Sequence, residues 1–397
     1  MELTLFNTLT NREEIIKPIK AGEIAIYACG PTVYDTPHIG NARSNVFYDM
    51  LFRILRGMYP KVTYARNITD VDDKILERAT RENITPQELT TKVTKDFHNT
   101  LDKLNCLKPT FEPKATEFIP QMVEMIEILI DKGFAYKAGD DVLFSVLKDK
   151  NYGQLSNKKL DDLIAGARVT VTENKQHAGD FVLWKNVPRS EYGFEATLGY
   201  GRPGWHIECS AMSGKLLGKD FEIHGGGIDL QFPHHENEIA QSCACYDGSG
   251  FAKYWVHNGF LKVNGEKMSK SLGNFLTVGD ILKNHSPMAL RLCLLSTHYR
   301  KPLDYNENAI KTAETNLAKF QKCLDENAGL FEKKQDIKLA EITALAQEAL
   351  MSNVNISKYL AIMHALPKDI KNTNDEKNKK QLVQEFWNMG ALIGVFA

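Results

Sequence analysis

The sequence has no run of about 18 consecutive apolar residues, so nothing in it reads as a membrane-spanning helix. Residues 1–10 lack the basic start and the long apolar stretch of a secretory signal. Charge of one sign is missing too: 49 Lys and Arg stand against 50 Asp and Glu, a net charge of −1. Bulk charge therefore gives no argument for a polyanionic partner, which would need basic side chains grouped on one face. No internal repeat or low-complexity tract occurs. The seven cysteines are odd in number and scattered, not framed as pairs. They read as thiols of a reducing cytoplasm, any special one serving as ligand or catalyst. What is present is ordinary globular composition, 43% hydrophobic and 25% charged over 397 residues. That length suits two or three domains whose cores need no disulfide staples.

The first third reads as α/β. An apolar strand at 24–27 runs into a loop over 28–40, and a helix follows from about Ala42. Its apolar residues Val46, Phe47, Met50, Leu51, Ile54 and Leu55 share one face. A second strand at 62–65 completes a βαβ unit and predicts a parallel sheet. Asp70, with Asp73 three residues on, resembles a capped helix start before Ile75. Over 117–199 the pattern changes. An amphipathic helix (Met122, Ile126, Leu129, Ile130) gives way to polar stretches such as 151–162, which reads as an insertion. From Gly201 the α/β pattern returns, with a strand at 221–223 ending in Gly225-Gly226-Gly227 and another over 256–263. Asn264-Gly265 is a hairpin turn signal. After Asn306 the chain is helical: Ile310, Ala313, Leu317, Phe320 and Leu324 step by three and four. Further stripes follow at 342–350 and 356–366, and the polar run 368–380 reads as an exposed linker between helices.

Two segments carry phosphate chemistry. Pro37-His38-Ile39-Gly40-Asn41-Ala42-Arg43 lies between a strand and a helix. A helix start offers unpaired N–H groups and the positive end of the dipole to an anion. Gly40 has no Cβ, so a flat ring can approach the backbone there. His38 and Asn41 can both donate to phosphate oxygens. The second segment, Lys267-Met268-Ser269-Lys270-Ser271, puts two lysines three apart in a polar, glycine-flanked loop. Closing over a triphosphate, it would stabilise charge developing on departing pyrophosphate. Either segment alone is commonplace, as a capped turn or a solvated basic loop. Together they resemble the two signature motifs of class I aminoacyl-tRNA synthetases, the second in full and the first with Asn41 where histidine is usual.

A metal site can be sought among the cysteines and histidines. Cys29 follows the first strand, Cys209 follows Trp205-His206-Ile207-Glu208, and His234 and Glu238 are four apart, hence on one face if helical. Two thiolates, an imidazole and a carboxylate suit zinc. By spacing alone, Cys243, Cys245 and His235 compete as ligands. Three stretches resemble motifs of cysteinyl-tRNA synthetases: Tyr27-Ala28-Cys29-Gly30-Pro31-Thr32-Val33-Tyr34; Gly204 through Met212; and Phe232-Pro233-His234-His235-Glu236-Asn237-Glu238. So do Asn67-Ile68-Thr69-Asp70-Val71-Asp72-Asp73-Lys74 and His298-Tyr299-Arg300 with Pro302-Leu303-Asp304. The resemblance runs from about Leu5 to Asn306 and continues more faintly into the helices.

That resemblance implies an α/β fold: a Rossmann-like parallel-sheet catalytic domain with an inserted connective domain, followed by an α-helical bundle. The divisions expected are 1–116 and 200–243 for the two catalytic halves, 117–199 for the insertion, 244–308 for the lysine-loop subdomain, and 309–397 for the bundle. It implies one zinc per chain on Cys29, Cys209, His234 and Glu238, with Thr69, Trp205 and His224 around the amino acid. ATP falls to His38, Gly40, Asn41 and Lys270, and catalysis to His38, Lys267 and Lys270. The expected substrates are L-cysteine, ATP with Mg²⁺, and tRNA(Cys), for a cytoplasmic monomer. Zinc would capture the cysteine thiolate, and a site built round one polar bond can reject an analogue by ~10⁴, so serine needs no editing. Asp70, Asp72 and Asp73 read as caps and structural acceptors rather than as a Mg²⁺ site. Of His206, His224, His234, His235, His257 and His285, some are expected to be structural. The family's anticodon module would begin near Ala397, where this sequence stops, and that keeps a second acceptor open: the amine of an amino sugar–inositol. An inactive homologue that only binds RNA is the third reading, against which the intact lysine loop speaks.

Overall fold

A computed structural model describes residues 2–157, 175–248, 250–268, 274–334 and 336–396. A short antiparallel pair, β1 (Thr4–Asn7) and β2 (Arg12–Ile15), opens the chain. β3 (Glu23–Ala28), α1 (Ile39–Met58) and β4 (Lys61–Arg66) then form the expected βαβ unit, with β3 and β4 parallel and Ile26 opposite Tyr64. α1 begins three residues before Ala42, because the extended His38 caps it. Gly40 and Asn41 therefore belong to its first turn.

α2 (Asp73–Glu82) is capped by Asp72, not by Asp70 as its spacing predicts. Asp70 instead accepts from the Thr116 amide and hydroxyl, at 2.9 and 2.7 Å, and pins the start of the inserted segment. α3 (Pro86–Lys103) follows through a Thr85–Glu88 capping box. α4 (Ile119–Asp131) then packs Met122, Ile126 and Leu129 into a second core with Phe144, Leu183 and Trp184. Those three come from an antiparallel sheet of β5 (Ala135–Ala138), β6 (Asp141–Phe144), β7 (Phe181–Asn186) and β8 (Gly201–Pro203), joined in chain order. Of the polar run 151–162, residues 151–157 form turns and the rest lies outside the described residues.

α5 (Trp205–Leu217), β9 (Asp220–Gly227), α6 (Glu236–Cys245) and β10 (Phe251–Asn258) return the chain to the parallel sheet. Its order is β10-β9-β3-β4, every pair parallel. The chain steps outward from β3 to β4 and, on the other side, from β9 to β10. The winding therefore reverses between β3 and β9, which opens a crevice at their carboxyl ends.

The single strand expected over 256–263 is two strands. β10 stops at Asn258, and β11 (Leu261–Val263) joins a different sheet with β12 (Glu266–Lys267) and β13 (Leu303–Tyr305). The break falls at Gly259, where a Cβ would stand 2.6 and 2.7 Å from the carbonyl oxygens of Arg300 and Lys301. Asn264 and Gly265, at φ 53° and 82°, make the β11–β12 turn with the left-handed pair that a two-residue hairpin favours.

The remaining chain is helical: α7 (Val278–Ile281), α8 (Pro287–Leu294), α9 (Glu307–Glu326), α10 (Ala344–Met351), α11 (Ile356–Asn372) and α12 (Glu376–Leu392). The polar run 368–380 is not a linker. α11 continues to Asn372 and α12 starts at Glu376, so only 373–375 separate them. Its charges are the solvated faces of two helix ends, and the buried Ile370 keeps the α11 stripe going. No helix among the described residues is long and apolar enough to cross a membrane.

α1 lies between the parallel sheet and these helices, buried on nearly every side in one continuous core. A polar latch crosses that core. Arg291 on α8, with none of its surface exposed, donates to the carbonyls of Ile393 and Leu104, both at 2.8 Å, and pairs with Asp49 of α1. Gly394, at φ 70°, leaves room for the guanidinium, since a Cβ there would lie 2.4 Å from it. Removing one member of a buried pair strands the other. Arg291→Met is therefore expected to lower the urea-denaturation stability by about 3–5 kcal/mol; a loss under about 1 kcal/mol would show that the latch is not holding the helices to α1.

Candidate active site and metal centre

The crevice between β3 and β9 deepens into a cleft of about 470 Å³, within the usual range for small-molecule sites. Cys29, His38, Gly40, Asn41, Trp205 and Lys267 all line it.

At one end stands the start of α1. The Asn41 amide donates to His38 Nδ1 and the His38 amide donates to Asn41 Oδ1, both at 3.2 Å, a reciprocal capping box. Nδ1 acts as acceptor, so a neutral His38 carries its proton on Nε2. Asn41 spends its carbonyl oxygen on the cap and keeps its NH₂ as a donor. Gly40 is fixed by contact: a Cβ would come within 2.9 Å of the His38 ring. Lys267 reaches the same cleft from the β11–β12 hairpin, with Nζ 4.9 Å from the centre of the Phe260 ring. Lys270, with Ser269 and Ser271, lies outside the described residues. The chain returning from that loop bonds onto the His38 turn, through Ile39 N–H to Leu276 O and Val278 N–H to Pro37 O, both 3.1 Å.

At the other end four donors meet. Cys29 Sγ lies 3.7 Å from Cys209 Sγ, 3.6 Å from His234 Nε2 and 3.5 Å from Glu238 Oε1, and His234 Nε2 is 3.0 Å from Glu238 Oε1. Each has a local cause. Cys29 follows β3, and Gly30 beside it must be glycine, since a Cβ there would lie 1.7 Å from the Asn67 carbonyl oxygen. Cys209 is in the second turn of α5. A wide turn over Gln231–His235, broken by the extended Phe232 (φ −139°, ψ 133°), leads into α6 and brings His234 within 3.0 Å of Glu238. A second set overlaps the first: Cys29, Glu238, His224 and His235, again with donor atoms within 4.8 Å of one another. Cys243 and Cys245 join neither set; Cys243 faces the Gly250 carbonyl and Cys245 lies in the second core.

The cluster is dry. Cys209, His234 and Glu238 are at most 1% exposed. Burial pushes both thiols above their ordinary range and holds His234 and His235 well below theirs, as neutral imidazoles with a lone pair to give. Buried polar atoms are left over here: Tyr27 Oη, His224 Nδ1 and Glu238 Oε2 lack hydrogen-bond partners. His224 Nε2 does stand 3.1 Å from Glu238 Oε2, without hydrogen-bond alignment. Two thiols, an imidazole and a carboxylate at this spacing fit zinc.

The three residues expected round the amino acid divide. Trp205 is 38% exposed on the cleft wall and stacks on His234, centroids 4.0 Å apart. Thr69 and His224 are buried behind it. Thr69 Oγ1 donates to Glu208 Oε2 at 2.7 Å and accepts from Asn67 Nδ2 at 3.1 Å. His224 stacks on Trp255 and stands 3.5 Å from Cys29 Sγ. Two cleft residues carry no role in the sequence analysis. Asp229 is exposed just beyond the β9 glycines and lines the cleft, where its carboxylate can accept from a hydroxyl. Arg43 is buried in the first turns of α1, and only its contacts mark it.

Comparison with known proteins bears on the family and the fold. The model of the tRNA synthetases class I (C) catalytic domain matches residues 15–315. A cysteine–tRNA ligase of Wolbachia sp. subsp. Drosophila simulans is 50% identical over 396 residues, covering 98% of this chain and 86% of that protein. Those of Rickettsia bellii, at 50% over 389 residues (96% and 83%), and Rhodospirillum rubrum, at 47% over 396 residues (100% and 85%), are similar to it too. These relatives carry the tRNA ligase name, not that of an amino-sugar ligase. Among solved structures, a leucyl-tRNA synthetase complex from Agrobacterium radiobacter superposes with TM-score 0.67 at 10% identity, covering 96% of this chain and 84% of that one. Methionyl-tRNA synthetase of Mycobacterium tuberculosis gives 0.66 at 14%, covering 94% and 89%. At such identities these two speak for the fold alone.

The overlapping donor sets can be separated. The sulfur-rich set is expected to hold the ion, so Cys209→Ser should lower bound metal at least tenfold while His235→Asn keeps about one per chain. Elemental analysis after dialysis measures both, and the opposite pattern would assign the site to the histidine set.

Proposed function

The chain belongs to the cysteine–tRNA ligases of class I, and from that membership we propose that it activates cysteine as an adenylate and selects the thiol with zinc. Charging tRNA with cysteine at the expense of ATP is the family's reaction. One observation carries the finer reading: a thiol-rich donor cluster and an anion-binding helix start face each other across a single cleft.

Cys29, Cys209, His234 and Glu238 would hold the zinc. Bound there, zinc supplies a soft Lewis acid that takes a thiolate readily and a serine hydroxyl poorly. Trp205 closes the wall beside this end. Thr69 donates its hydroxyl hydrogen bond to Glu208 and accepts one from Asn67, so one lone pair remains for a further donor such as the substrate ammonium.

ATP enters with Mg²⁺ as part of the substrate. His38 Nε2–H, the side-chain NH₂ of Asn41 and the α1 backbone receive its phosphates, and Asp229 accepts from a ribose hydroxyl. A cysteine carboxylate oxygen attacks the α-phosphorus; the bond to the bridging oxygen breaks and pyrophosphate leaves. Lys267 and Lys270 bring two ammonium groups to the charge that develops on it. The 2′-hydroxyl of the terminal adenosine of tRNA(Cys) then attacks the adenylate carbonyl and AMP departs. No protein nucleophile is needed, since placement and charge supply the catalysis. In this reading 1–116 and 200–243 form the catalytic unit, 117–199 the connective insertion, 244–308 the lysine-loop subdomain and 309–397 the helical bundle.

Cysteine-dependent pyrophosphate exchange tests the proposal. The wild-type chain should prefer cysteine to serine by about 10⁴ in kcat/KM. Lys270→Ala should slow exchange by about a hundredfold or more without lowering the melting temperature. Equal use of serine would remove the thiol selection, and full activity in the lysine variant would remove the loop from the chemistry.

A further inference from the structure

The lysine hairpin and the anion-binding turn are far apart in sequence, so something must fix one against the other. The contacts of Arg43 supply that link. Arg43 sits in the second turn of α1 and is 3% exposed. Its guanidinium donates to four main-chain oxygens: Gly259 at 2.8 Å, Tyr299 at 3.3 Å, Phe260 and Lys301. Burial pulls its pKa down to about 10, with no carboxylate to raise it again. Carbonyl dipoles aimed at one point repel, and a cation at that point turns the repulsion into attraction.

Those oxygens belong to the two strands of backbone from which the small sheet starts. Residues 259–260 carry the chain from β10 into β11, and 299–301 lead into β13, the other neighbour of β11. The segments also bond directly, Gly259 N–H to Tyr299 O at 2.7 Å and Leu303 N–H to Phe260 O at 3.0 Å. Phe260 is, in addition, the ring under the Lys267 ammonium. The far end of the loop returns to the same helix, through the bonds of Leu276 and Val278 to 37–39. Both ends of the lysine-bearing loop thus stand on the first turns of α1.

We propose that Arg43 is a positioning residue for adenylation: it locks the root of the β11–β12 hairpin to α1 and so holds Lys267 at the phosphate end of the cleft. This rests on the reading of the cleft as the ATP site. Among the described residues the hydrogen bonds of Arg43 all go to main-chain oxygens at the hairpin root, so its effect should fall on turnover and on ATP, not on the cysteine end.

The test compares Arg43→Gln and Arg43→Lys in the full, zinc-loaded chain. In pyrophosphate exchange Arg43→Gln should lose at least tenfold in kcat, and Arg43→Lys, which keeps the charge but not the fork, should recover part of it. KM for cysteine and bound zinc should stay within twofold of wild type. Amide hydrogen exchange over 259–267 should quicken at least tenfold in Arg43→Gln, while the Cys209 helix stays as protected as before. Kinetics within twofold of wild type, or unchanged exchange over 259–267, overturns the proposal. Loss of the whole fold in both variants also overturns it, since Arg43 would then be a general core residue. A wild-type chain without cysteine-dependent exchange would sink the functional reading instead, and the amide measurement would still decide whether Arg43 holds the hairpin.

Discussion

The winding of the parallel sheet reverses between β3 and β9, and the site depends on that reversal. Connections leave the two strands on opposite sides, so their carboxyl ends are not roofed by a common crossover. Cys29 leaves one of these ends and the Gly225–Gly227 run leaves the other. The hole between them admits a helix start on one flank and the Cys/His/Glu donor cluster on the other. α1 is the second half of the same constraint. Its N-terminus faces the crevice, its flank carries Arg43 against the root of the lysine hairpin, and its middle carries Asp49 into the latch with Arg291. A helix buried on nearly every side has no freedom to tilt, and the three features keep their spacing.

The two flanks of the cleft differ in electrical character. The metal flank is desolvated, its imidazoles neutral and its thiols reluctant to ionise without a cation. The flank at the start of α1 is open and built from donors: backbone N–H groups, the His38 Nε2 edge, the side-chain NH₂ of Asn41 and Lys267. A substrate bearing a thiol at one end and a carboxylate at the other would span the two, its soft end against a soft donor set and its reacting oxygen near the phosphates. Asn41 in place of a second histidine costs the turn no geometry, because its side-chain oxygen closes the capping box.

Where sequence reading misplaced an element, a local contact explains it. Asp70 has the right spacing for a cap, but Thr116 of the insertion competes for its carboxylate. The apolar run over 256–263 has the composition of one strand, yet the carbonyls of a segment some forty residues downstream leave room only for glycine at 259, and the chain changes sheet. The charged run 368–380 looks like a linker because its buried face has been reduced to single residues such as Ile370. Arg43 stood in the helix-start segment without a role for the same reason: its significance lies in what faces it.

The sequence by itself determined the βαβ start, the hairpin at Asn264-Gly265, the helical C-terminal region, and the chemical types needed for an anion site and a metal site. Those follow from short-range periodicity, turn stereochemistry and side-chain chemistry, which are written locally. The tertiary structure alone decided which cysteines, histidines and carboxylates meet. Cys29 and Cys209 are 180 residues apart, and only strand order brings their sulfurs to 3.7 Å while sending Cys243 and Cys245 elsewhere. It also left two overlapping donor sets: spacing had already offered His235 as a competitor, but only the fold brings His224 beside it. Burial and the pairing of distant backbone segments are properties of the closed sheet, and no window along the chain contains them.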